Sequence, residues 1–73
     1  MSRLDSVKII RNNEDGRTRT VFKYKNRTAV ICRLWHEEVE AECQIDGKYD
    51  FTMFFYRVNE AKKEARLWCL KAD

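Results

Sequence analysis

Short runs of β-branched and aromatic residues alternate with turn formers along most of the chain. The runs are Val7 to Arg11, Arg17 to Lys25, Thr28 to Trp35, Val39 to Ile45 and Tyr49 to Arg57. Turn signals stand at Asn12-Asn13-Glu14-Asp15-Gly16, around Lys25-Asn26-Arg27 and at Asp46-Gly47. Segments of this length and make-up read as strands. Their connections are too short for parallel crossovers, so the pattern predicts an antiparallel meander of about five strands, four if the first is irregular.

The period changes after Asn59. From there to Ala72 the chain has no Gly or Pro, and Ala, Glu, Lys, Arg and Leu dominate, which favours a helix. Asn59 is the expected N-cap, with Glu60 at the positive end of the dipole and Lys71 at the negative end. At ~100° per residue, Ala61, Ala65, Trp68, Cys69 and Ala72 share one stripe, with Trp68 as its anchor. The predicted architecture is a single α+β domain over residues 1–73: an antiparallel β-meander packed on one C-terminal α-helix.

Parity assigns the faces. Val39, Ala41 and Cys43 alternate with Glu38, Glu40 and Glu42, giving that strand one buried and one wet side. Tyr49, Phe51, Met53 and Phe55 share a parity in the next strand. A three-residue loop, Ile45-Asp46-Gly47, then sets Cys43 opposite Tyr49 and Ala41 opposite Phe51. The expected core is Phe22, Tyr24, Val30, Cys32, Leu34, Val39, Ala41, Cys43, Phe51, Met53, Phe55, Ala61, Ala65 and Trp68. On the same parity Trp35, Phe54 and Tyr56 turn away from the helix, together with Ile31 and Arg33.

Charge changes the picture more through its distribution than through its net value of +3. Residues 1–35 carry nine cations against three acids, while residues 36–50 carry one cation against six acids. Arg17, Arg19, Lys23, Lys25 and Arg27 occupy every odd position of one run except Val21, and alternate strand residues sit ~6.6 Å apart on one face. Such a row suits electrostatic contact with acidic groups or phosphates. Arg33, Trp35 and Tyr56 join it as candidate partner- or nucleic-acid-binding residues, because exposed aromatics beside arginines anchor both protein interfaces and stacked bases.

Other chemistry is excluded on spacing. Cys32, His36, Cys43 and Cys69 have the residue types of a zinc site, but Cys32 and His36 lie ~13 Å apart along a strand, far beyond common coordination. His36-Glu37-Glu38 lacks the second histidine of a metalloprotease helix, since position 40 is Glu40. With one histidine, both glycines in turns and little volume for a cleft, no catalytic residue, cofactor or metal is expected, and the chain reads as a non-enzyme. Asn26-Arg27-Thr28 matches a glycosylation acceptor but is read as a turn. The start, Met1-Ser2-Arg3-Leu4-Asp5, is not a secretory signal, and three cysteines read as free thiols, which implies a cytoplasmic setting. No apolar run has the ~18 residues of a membrane span.

In size and outline, a lone antiparallel sheet with one helix, the chain resembles many small phage and mobile-element proteins, some anti-CRISPR inhibitors among them. The resemblance implies an inhibitor that acts by binding, and it assigns no residue. The function expected is therefore a non-catalytic protein that docks on a larger protein or nucleoprotein and modulates or inhibits it. The alternatives are direct, weakly sequence-selective nucleic-acid binding on the open sheet, and a homodimeric structural protein.

Overall fold

The computed structural model describes residues 3–11, 17–33 and 38–72. In chain order it forms β1 (Ser6–Arg11), β2 (Thr18–Tyr24), β3 (Arg27–Arg33), β4 (Val39–Ile45), β5 (Lys48–Phe55) and α1 (Val58–Leu70). All five strands join one antiparallel sheet in the order β1-β2-β3-β4-β5, with α1 against it. The expected α+β meander is thus the fold.

Small side chains let the helix lie close to the sheet. Ala61, Ala65 and Cys69 are fully buried on α1, and Ala29, Ala41, Cys43 and Val39 are fully buried on β3 and β4. Phe22 and Ile31 complete the core, flanked by the partly buried Tyr24, Met53, Phe55, Val58 and Trp68. The predicted helix stripe is confirmed, with Ala72 also buried. Its start differs: Arg57 is the N-cap, no side chain caps it, and the backbone N–H of Ala61 donates to the Arg57 carbonyl at 3.1 Å. Asn59 lies inside the first turn instead of capping it.

Two turns are shorter than the hydrophobic pattern suggests. Between β2 and β3, Tyr24 stands opposite Arg27, so Lys25-Asn26 is a two-residue connection. Starting β3 one residue earlier exchanges its faces. Ala29 and Ile31 are buried, whereas Val30 and Cys32, expected in the core, are half-buried on the opposite side. Leu34 lies outside the described residues. Lys25 takes a left-handed φ of 53°, and its N–H donates to Asp5 Oδ2 at 2.7 Å, which compensates the strain of that conformation.

Between β4 and β5, Ile45 pairs with Lys48, leaving Asp46-Gly47 as a two-residue turn with φ of 56° and 78°. Positive φ at both positions is what such a turn demands, and Asp-Gly is suited to it. A register shift after the turn then skips Asp50, so Gln44 pairs with Tyr49 but Cys43 pairs with Phe51. The bulge returns Phe51, Met53 and Phe55 to the helix side and removes Tyr49 from it, but only Met53 and Phe55 pack against the core; Phe51, expected there, is exposed at its rim beside Trp68. The Tyr49 and Thr52 hydroxyls lie 2.9 Å apart on the other face.

Arg27 and Trp68 clamp the helix end to the sheet. The guanidinium stacks 4.9 Å from the Trp68 ring centroid while Nη1 donates to the Trp68 carbonyl at 2.8 Å. A cation there also meets the negative end of the helix dipole. Phe51 packs edge-on against the same indole, with centroids 5.6 Å apart and planes at 86°. Replacing Arg27 with Ala is expected to lower the unfolding free energy by about 1–2 kcal/mol in urea titrations. Lys25→Ala, which removes only an exposed cation 5.4 Å from the Tyr24 ring, should cost well under half as much.

Burial pushes the Cys43 and Cys69 thiols from the ordinary value of 9.0 up to about 11, and the proximity of Cys69 adds to the effect at Cys43. The folded chain therefore keeps these protons at a pH where the unfolded chain loses them. The stability they contribute is whole below about pH 9 and is lost as pH rises towards about 11. Denaturation measured across that window should show the fall, and Cys69→Ala should make it shallower. Below it, a thiol reagent should modify Cys32 in the native protein and reach Cys43 and Cys69 only on unfolding.

Candidate docking surface

Residues paired across antiparallel strands share a face, so the registers define the side of the sheet that α1 does not cover. Three transverse rows make it up. The first runs Ile10, Arg19, Cys32, Glu40 and Phe54 from β1 to β5, and the second Lys8, Val21, Val30, Glu42 and Thr52. Ser6, Lys23, Thr28, Gln44 and Tyr49 form the third.

The rows sort the chemistry by strand. Lys8, Arg19 and Lys23 are exposed cations on β1 and β2. The central strand, β3, contributes only uncharged, half-buried side chains, and β4 contributes the half-buried carboxylates Glu40 and Glu42. Tyr49 and Phe54 on β5 are 62 % and 65 % exposed, which makes an aromatic border beside the acids. Adjacent strands lie ~4.8 Å apart, so roughly 10 Å separates the cations of β2 from the acids of β4.

The sequence-predicted site residues divide sharply. Arg19 and Lys23 stand on the uncovered face as expected, but the row of five does not extend beyond them on β2. Arg17 precedes the strand, is half-buried and is engaged by other groups. Lys25 sits in the β2–β3 turn, with its ammonium over the Tyr24 ring. Arg27 points to the opposite side and is committed to the helix clamp.

Arg33 pairs with Val39, and Ile31 is buried beneath α1, so neither faces away from the helix as parity had suggested. The one-residue slip of β3 is the cause in both cases. Trp35 and His36 lie outside the described residues. Tyr56 follows β5 and is 82 % exposed.

Lys8, Ile10 and Tyr49 were missed. For Lys8 and Ile10 the signal was present, because the even positions of the first strand carry them on one side. For Tyr49 the only signal is the one-residue disagreement between the Asp46-Gly47 turn and the strand parity, which does not say where the bulge falls. Cys32 is half-buried on the uncovered face, away from the buried Cys43 and Cys69. Among the described residues no group of His, Cys, Asp and Glu is placed to hold a metal ion. Nor is any helix there long and apolar enough to cross a membrane. A depression of about 220 Å³ beside the β2–β3 turn is lined by Lys25, Asn26, Arg27 and Ile45, with no carboxylate or imidazole among them.

Compared with protein-family models, curated proteins and solved structures, the chain matches none.

Proposed function

We propose that the chain is a non-catalytic binding module that docks on a larger protein through the uncovered sheet face and modulates it by occlusion. The observation that carries this reading is the layout of that face. Cations stand along one side, acids and exposed aromatics along the other, and no described element packs over them. Aromatic side chains such as Phe54 and Tyr49 are the residue types that anchor protein interfaces when desolvated. Arg19 and Lys23 add orientation, because a partner must present acids to that side and cations to the side of Glu40 and Glu42.

A protein partner suits this layout better than a polyanion. Nucleic-acid binding relies on a continuous basic surface, whereas here two carboxylates share the face with three cations.

The decisive variant is Arg19→Glu with Lys23→Glu, since both side chains are exposed and neither supports the fold. A charge-matched control on the outer surface of the helix is Lys63→Glu with Arg66→Glu, both exposed. Capture from nuclease-treated lysate should retain a protein partner on the wild-type chain and on the helix variant. The sheet variant should lose at least about tenfold of it. Equal retention by the three chains would dismiss the face as the docking surface. A partner that vanishes with nuclease treatment, with binding that weakens steeply as salt rises, would replace the reading with direct nucleic-acid binding.

A further inference from the structure

The uncovered face carries its cations on one side of the central strand and its acids on the other, with Arg19 and Glu40 level in one row. Arg19 and Lys23 on β2 and Glu40 and Glu42 on β4 stand at equal distances from β3, whose own contribution is uncharged. A surface of this kind is complementary to itself under one particular rotation.

Sheets packed face to face keep their strands within about 30° of each other. Two in-plane two-fold axes meet that condition. An axis running across the strands lays β2 of one copy on β2 of the other, bringing Arg19 over Lys23, cation on cation. An axis running along β3 lays β2 over β4 and β1 over β5. Arg19 then faces Glu40 of the second copy, and the contact is made twice. Lys23 meets Gln44 with Glu42 one row away, Ile10 meets Phe54, and the uncharged β3 strands cover each other.

We propose that two copies of the chain associate through this face about the axis along β3, forming a two-sheet sandwich with the helices outside. The inference rests on the reading of the face as a docking surface and names a second copy as an occupant. Five strands at ~4.8 Å and three rows at ~6.6 Å give a footprint of about 500 Å² per copy. The pair buries about 1,000 Å², at the small end of specific interfaces. The association is therefore reversible: it shields Phe54 and Tyr49 in the free protein and yields the face to a larger partner.

The test is sedimentation of the wild-type chain over a concentration series reaching hundreds of micromolar, beside Arg19→Glu and Glu40→Arg, with circular dichroism confirming each fold. The wild-type chain should move from one to two chain masses. Each single variant should self-associate at least about tenfold more weakly, because like charges then meet at both contacts. An equimolar mixture of the two should recover the two-chain species, since a mixed pair restores opposite charges at both contacts.

A wild-type chain that stays monomeric throughout, single variants that pair as well as it does, or a mixture that stays monomeric would each overturn the proposal. The two readings fail separately. Equal capture of a larger partner by the wild-type chain, the sheet variant and the helix variant dismisses docking, whatever the chain does with its own copies. Recovery of the mixed pair tests self-association alone.

Discussion

The close approach of an alanine-lined helix to an alanine-lined sheet governs this molecule. Ala61, Ala65 and Cys69 on α1 and Ala29, Val39 and Ala41 on the strands beneath are all fully buried, so mostly small side chains fill the contact. Phe22 and Ile31 add bulk to that core, and Tyr24, Met53, Phe55 and Trp68 pack partly buried around it. A helix of 13 residues is about 20 Å long, enough to cover one side of a small sheet. It packs over β2 to β5 and leaves Val7 and Ile9 of β1 exposed even on its own side. No described element remains to cover the other side, so the uncovered face follows from how the helix is spent.

That geometry explains which parts of the fold were legible in the sequence. The helix stripe was readable because α1 has one wet side, so Ala61, Ala65, Cys69 and Ala72 stand out against Lys62, Lys63 and Arg66. The faces of β4 were readable for the same reason, with Glu40 and Glu42 alternating against Val39, Ala41 and Cys43. In β3, by contrast, Ala29, Val30, Ile31 and Cys32 are all apolar, and either parity yields a plausible core. What decides is the two-residue turn before it and the pairing of the strand with both neighbours. Neither constraint is local to the strand, and the misplacement of Arg27, Arg33 and Ile31 follows from that single ambiguity.

The β4–β5 hairpin shows a different limit. Asp46-Gly47 signalled a two-residue turn, while the parity of Phe51, Met53 and Phe55 argued for three. Both signals were sound, and the structure satisfies both by skipping Asp50 after the turn. A bulge reconciles turn chemistry with a hydrophobic pattern that disagree by one residue. Its consequence is functional, because it places Tyr49 beside Thr52 on the uncovered face instead of against the helix.

The strand order explains why the face is polar in the lateral sense. In a meander, neighbours in sequence are neighbours in space, so a charge excess along the chain becomes a charge excess across the sheet. Cations cluster before the middle of this chain and acids just after it. Any order that interleaved early and late strands would have mixed them. Because β2 and β4 lie roughly 10 Å apart, about one Debye length at moderate salt, their fields largely cancel for a distant ligand. At contact distance they do not cancel, since each row then meets only what stands opposite it. Such a face attracts little from afar and discriminates by orientation on contact, which is the electrostatic behaviour of a selective docking surface rather than of a general polyanion binder.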